Sequence, residues 1–284
     1  MKYLIITADD FGLAPDLDRG IRQGIEQGLL SHVSLVANTN SLRESALFLK
    51  NQSKASAGIH LNLTDGKPLL ETRSLRPLVD GSGRFLGLHR RVLLALIARP
   101  QLLRAVEEEW RAQIEAIRSW DLRVWQLNCH GHLHCFPRLF RLVIKLAHDY
   151  GIPFVRLLHE WPCISRLWHS PKRWFKSWTI TVLSQMSRLL ITDAGLTRLC
   201  PCRGVSDSGH LTMERFEEIL GEFPIGITEF VCHPGYTTES VRQQFPWNYN
   251  WNGERELILS KRLKDEIHRL GMKLINFEQA HDLL

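Results

Sequence analysis

From residue 3 to residue 276 the chain alternates short apolar runs with longer segments whose apolar residues recur every three or four positions. The runs fall at 3–8, 33–37, 57–63, 123–128, 153–157, 226–232 and 273–276. The first, Tyr3-Leu4-Ile5-Ile6-Thr7-Ala8, shows no polar alternation, as expected of a strand covered on both faces. Strands of that kind separated by helices form a parallel sheet with helical crossovers. About seven of them predict an α/β fold, most economically a distorted (β/α) TIM-like barrel. A barrel of this type carries its chemistry at the C-terminal ends of its strands.

The intervening segments carry helix signals. Pro15 with Asp16 and Asp18 opens one, with Ile21, Ile25 and Leu29 along one face. Ser41 and Glu44 have the spacing of a capping box for a second, through about Lys50. A helical region from about His89 to Trp120 is broken near Pro100, and another follows Pro137. Thr212 is placed to cap a short helix, and 254–270 reads as a longer one. The 64–88 stretch, with Gly66, Pro68, Pro77, Gly81 and Gly83, is long for a plain connection and has the composition of a lid.

Composition bounds the remaining choices. A chain of 284 residues is expected to form a single domain over 1–284, with a basic, aromatic insertion around 157–203. That insertion holds seven Lys or Arg, two acids and four Trp. The net charge of +6 allows an anionic partner without demanding one, and no nucleic-acid partner is expected. Six cysteines without paired CxxC spacing argue against a structural zinc knuckle. No run reaches the ~18 apolar residues of a membrane span, and Met1 leads straight into strand-like sequence. Both features fit a cytoplasmic protein with reduced thiols. A homodimer is compatible with the pattern.

The chemistry gathers at the ends of the runs. Asp9-Asp10-Phe11-Gly12 follows the first, His60 lies in the third, His130, His132 and His134 follow the fourth, and His233-Pro234-Gly235 ends a late one. If 130–134 were extended, its three imidazoles would share one face. Two histidines and a carboxylate make an open metal site with room for water and substrate. Asp10, His60 and His130 are the assigned ligands of one divalent ion. Asp9, if the strand stays extended, points elsewhere and suits a general base. His233 suits protonation of a leaving amine. His132 and His134 would crowd a site that already has three ligands, so they are assigned to its surroundings or to substrate. Arg156 anchors Asp9 or a substrate hydroxyl, or forms a surface ion pair. The plainer readings are an Asp-Asp turn capping the next helix, a core His60, and a His233 that shapes a turn.

Four motifs together resemble the YdjC-like carbohydrate deacetylase family: Thr7-Ala8-Asp9-Asp10-Phe11-Gly12-Leu13, Gly58-Ile59-His60-Leu61-Asn62-Leu63-Thr64, His130-Gly131-His132-Leu133-His134-Cys135-Phe136-Pro137, and His233-Pro234-Gly235. The resemblance spans nearly the whole chain. It implies a distorted (β/α) barrel and removal of the N-acetyl group from an amino sugar, carried on an oligosaccharide or a lipid such as a hopanoid. It implies Mg2+ or Zn2+ held by Asp10, His60 and His130, with Asp9 as base. The Asn128-Cys129 that precedes His130 departs from the Asp-Ser or Asp-Gly common in relatives. The rival readings are an HxH-type metal-dependent phosphoesterase or amidohydrolase, and a basic surface-binding protein without catalysis. Within 172–192, Phe175, Trp178, Val182, Met186 and Leu189 share one helical face. That stripe packs on the barrel, or else meets a membrane surface.

Overall fold

The first strand, β1 (Lys2–Phe11), occupies the centre of the topology. The computed structural model describes residues 1–71, 73–87, 89–160, 171–189 and 197–284. Seven parallel strands close a ring: β1, β2 (His32–Leu35), β3 (Ser56–Leu61), β4 (Val124–Cys129), β5 (Phe154–Leu158), β6 (Arg198–Arg203) and β7 (Gly226–Cys232). β7 pairs with β1 along Lys2–Ala8, and β2 closes on the other edge of β1 from Thr7 to Phe11. The part of that edge left open, Lys2–Leu4, is taken by β8 (Met272–Leu274). The barrel is therefore split at its lower end, and this is the distortion.

The predicted strand count is right, but its membership differs. The last apolar run supplies β8, outside the ring. β6 lies within 157–203, where no strand was expected. Its sequence, Arg-Leu-Cys-Pro-Cys-Arg, places Pro201 inside the strand, which ordinarily demotes a run. β6 tolerates it because it pairs with β7 only at Cys202 and Arg203.

The helices wrap the ring: α1 (Pro15–Glu26), α2 (Leu42–Lys50), α3 (His89–Ala98), α4 (Leu102–Arg118), α5 (Pro137–Asp149), α6 (Pro171–Leu189), α7 (Met213–Gly221), α8 (Glu239–Gln244), α9 (Trp251–Leu259), α10 (Lys261–Arg269) and α11 (Phe277–Asp282). Ile21 and Ile25 of α1, Val106, Trp110 and Ile114 of α4, and Leu142, Val143 and Leu146 of α5 share one core with Leu4, Ile6, Ile59 and Leu127 of the strands. Thr212 caps α7 as its sequence indicates, accepting from the Arg215 amide. Ser41 does not complete the expected capping box. Its backbone is already helical (φ −84°, ψ −11°), which turns the hydroxyl away from the free amides.

The 64–88 segment is not a free lid. Leu75, Leu78 and Phe85 are buried in the main core. The buried Glu109 carboxylate accepts the Leu69 and Leu70 amides, both at 2.9 Å. At the N-terminal end of the barrel, Phe277 seals the interior with its ring against Phe154 (5.0 Å) and His32 (4.5 Å). Gly58 of β3 is required there, since a Cβ would stand 2.5 Å from His32 Nε2. The five described cysteines, Cys129, Cys135, Cys200, Cys202 and Cys232, are buried and free, while Cys163 lies outside the described residues.

Candidate metal centre and its polar barrel core

Above the Phe277 seal the barrel interior is polar. Arg156 of β5 is fully buried and grips two carboxylates. Its Nη1 and Nη2 donate to Asp9 Oδ2 at 2.6 Å and Oδ1 at 2.8 Å. Its Nε and Nη2 donate to Glu229 Oε2 at 3.1 Å and Oε1 at 2.7 Å. Glu229 also accepts from Gln126 Nε2 (2.7 Å), whose Oε1 accepts from Asn128 Nδ2 (2.7 Å). Asn128 Nδ2 donates again to Ser34 Oγ (2.8 Å), so its Oδ1 is left to accept from His60 Nδ1. This chain fixes the tautomer: His60 Nδ1 carries the proton, and Nε2 presents its lone pair to the barrel mouth. The reading of Arg156 as a surface ion pair is thereby replaced by a buried clamp on Asp9.

Strict strand alternation would send the Asp9 and Asp10 side chains to opposite sides. The register shifts between Ala8 and Phe11, and Asp10 takes a left-handed conformation (φ 67°). This irregularity re-aims Asp10 toward the mouth, so the segment does not stay extended as the sequence reading supposed. Asp10 Oδ1 lies 2.8 Å from His130 Nδ1 and 3.5 Å from His60 Nε2. Asp9 stays outside the group, its Oδ1 3.9 Å from His60 Nδ1.

Asp10, His60 and His130 are buried, and their ligand atoms lie within 4.8 Å of one another. One carboxylate oxygen and two imidazole nitrogens at this spacing form a group able to hold a divalent cation. Burial disfavours charge on Asp10, but the facing His130 overrides it and holds the carboxyl below its ordinary range. Burial also opposes a proton on His130, yet Asp10 and Asp65 together raise it to about 10. A cation held by this group would compete with the proton that Asp10 and His130 share.

The histidine cluster does not run extended. Gly131 (φ 59°) and His132 (φ 58°) both turn left-handed. A Cβ on Gly131 would overlap the His89 ring, at 1.5 Å from Nε2. Only His130 of the cluster joins the group. His134 is fully buried, its ring stacked on Phe140 at 6.5 Å. Burial drives its pKa down to about 3. His132, almost as buried, leaves Nδ1 without a partner among the described residues. An HxH pair acting as two ligands, as the phosphoesterase reading needs, is not formed.

Across the mouth, His233 follows β7. Glu254 of α9 accepts its backbone amide at 2.5 Å and lies 3.8 Å from its Nδ1. Burial opposes the imidazolium, but the Glu254 carboxylate outweighs it and raises the His233 pKa. Burial likewise opposes charge on Asp9, and Arg156 holds that carboxyl well below the usual carboxylate range. Several neighbours carried no sequence signal. Asp65 Oδ2 stands 3.2 Å from His130 Nε2, so the far side of that ring is held by a carboxylate. The His89 ring stacks at 6.3 Å from His130, Trp247 lies 5.2 Å from His130, and Tyr249 lies 5.3 Å from His233. Of these, only Asp65 adjoins a motif, directly after Thr64.

A parallel barrel with an Asp-His-His group at its C-terminal mouth, and a clamped carboxylate and a carboxylate-paired imidazole beside it, has the make-up of a metal-assisted hydrolase. A family model described as YdjC-like protein matches residues 3–269, and the chain belongs to that family. A carbohydrate deacetylase of Clostridium beijerinckii is 26% identical over 275 residues, covering 97% of this chain and 98% of its own. A carbohydrate deacetylase of Mus musculus is 32% identical over 246 residues, covering 82% and 78%. A solved structure of an Enterococcus faecalis protein aligns over 98% of both chains with a TM-score of 0.77. At 22% identity that likeness speaks for the fold alone.

Proposed function

We propose that this protein is a metal-dependent hydrolase that removes the N-acetyl group from an amino sugar. The observation that carries the reading is the convergence of Asp10, His60 and His130 between Asp9 and His233 in a chain of the YdjC-like family. The naming of its relatives as carbohydrate deacetylases supports the substrate class.

A divalent cation held by Asp10, His60 and His130 supplies a Lewis acid toward the acetamide carbonyl and eases ionisation of water. The protein's own groups do the rest. Asp9, kept ionised by Arg156, accepts the proton of the attacking water. Arg156 makes that carboxylate a reluctant holder of the proton, which passes through solvent to His233 once His233 has given its own proton to the amine. His233, whose hold on a proton the Glu254 carboxylate strengthens, donates to the departing amine. Trp247 and Tyr249 flank His130 and His233 and offer faces on which a pyranose ring can stack. Two nitrogen ligands favour zinc by ligand softness, and one carboxylate with open positions also accepts magnesium.

The test is acetate release by metal-stripped protein reloaded with zinc or magnesium, over N-acetylated monosaccharides, oligosaccharides and glycolipids. Metal-dependent release of equal amounts of acetate and free amine is expected. Loaded protein that frees no acetate from any of them, or frees phosphate from phosphoesters instead, refutes the reading.

A further inference from the structure

Helix α6 is built inside out. Of the two readings of its apolar stripe, packing on the barrel is not the one formed: Ser177, Thr181, Ser184 and Ser187 occupy the buried face. Half-buried Ile180 and Leu183 sit beside them. Specific bonds hold the hydroxyl face down. Ser177 Oγ and Thr181 Oγ1 donate to the Glu160 carbonyl at 3.2 and 2.7 Å, and Ser187 Oγ donates to the Cys135 carbonyl at 2.9 Å. The stripe is left to solvent: Phe175 is 61% exposed, Trp178 41%, Met186 51% and Leu189 82%. Beyond the His130–Cys135 turn, α3 exposes Leu94 (63%) and Ile97 (72%). An apolar groove of about 380 Å³ opens there, lined by Leu93, Leu96, Ile97, Pro100, Phe136 and Leu139. Phe136 packs in the same cluster as Ile180 and Leu183, so the groove borders α6. Exposed apolar surface of this extent marks an interaction site.

Charge selects the occupant. Residues 171–189 contain four Lys or Arg and no acid, and residues 81–106 contain five Arg and no acid. Lys176 and Arg188 are exposed on the two flanks of α6, off the stripe itself, and Arg90, Arg91 and Arg99 are exposed on or next to α3. A second copy of the chain would set these cations against one another with no carboxylate from either segment to pair them. No helix among the described residues is long and apolar enough to cross a membrane. We propose that the α3–α6 face is a peripheral docking surface for an anionic phospholipid bilayer. Phe175, Trp178, Met186 and Leu189 enter the headgroup boundary while the basic side chains meet lipid phosphates. The docked face borders the turn that carries His130, so the barrel mouth lies close to the membrane. The proposal does not depend on the reaction at that mouth.

The test is co-sedimentation of the full chain with vesicles of phosphatidylglycerol and phosphatidylcholine, or of phosphatidylcholine alone. Binding is expected to the anionic vesicles at about 20 mM salt and to fall roughly tenfold at about 0.5 M, where exposed charges are screened. Phe175→Ser with Met186→Ser and Leu189→Ser should lower it by a similar factor, with an unchanged circular dichroism spectrum, because these side chains are exposed. Lys176→Glu with Arg188→Glu leaves the stripe intact and should abolish binding at low salt. No pelleting with anionic vesicles at low salt overturns the proposal, as does pelleting that the charge-reversed protein retains. A dimer that the triple serine variant converts to monomer would assign the face to a second copy.

Discussion

Replacing Arg156 with methionine removes a cation that makes four hydrogen bonds to two carboxylates, all inside the barrel. Asp9 and Glu229 would be left with no counter-ion at their shared contact. Removing one partner of a buried ion pair typically costs ~3–5 kcal/mol, because a charge stays behind uncompensated. Unfolding entropy of ~2.1 cal/mol/K per residue gives ~0.6 kcal/mol/K for a chain this long, so ~4 kcal/mol lowers Tm by ~7 °C. Arg156→Met should therefore melt well below the parent in calorimetry at neutral pH. The triple variant Arg156→Met, Asp9→Asn, Glu229→Gln removes the stranded charges and should recover a large part of the loss. A single variant within ~1 kcal/mol of the parent would refute the clamp. A triple variant no better than the single would show that the volume of the guanidinium, not its charge, is what the barrel needs.

Asp9→Asn should retain the metal and lose ~10²–10⁴ in turnover, the usual share of a general base; metal analysis of the purified variant separates this from loss of a ligand. Asp65→Ala should weaken metal affinity ~10–100-fold in a chelator competition by freeing the far side of the His130 ring, and unchanged affinity would exclude that role. Burial of Asp18 on α1 raises its pKa to about 7, against the hydrogen bonds from Ser45 Oγ and the Gly12 amide. A folded-state pKa above the unfolded value stabilises at low pH and loses that contribution as pH rises toward 7. Against Asp18→Asn, the parent should thus lose ~2–3 kcal/mol between about pH 5 and pH 8 in urea unfolding; parallel curves would sink this assignment.

Periodicity and composition were enough to determine the parallel α/β barrel, because strands covered on both faces leave unbroken apolar runs and the helices between them keep a 3.6-residue repeat. The same one-dimensional signal could not show β6, whose Pro201 is tolerated only because its neighbour β7 pairs at the far end. Nor could it show that the last run joins β1 outside the ring. The gathering of Asp10, His60 and His130 was legible because each sits at or near a strand end. How the three meet was not legible. The left-handed turns at Asp10, Gly131 and His132 reverse the alternation on which a sequence reading relies. Asp65, His89, Trp247 and Tyr249 reach the mouth from segments distant in sequence, and only tertiary folding brings them to His130 and His233. The stripe on α6 makes the sharpest division. Its spacing fixed a helix with an apolar face, but which face turns inward depended on the Glu160 and Cys135 carbonyls awaiting donors on the barrel. Those partners lie across the fold, where no local pattern records them.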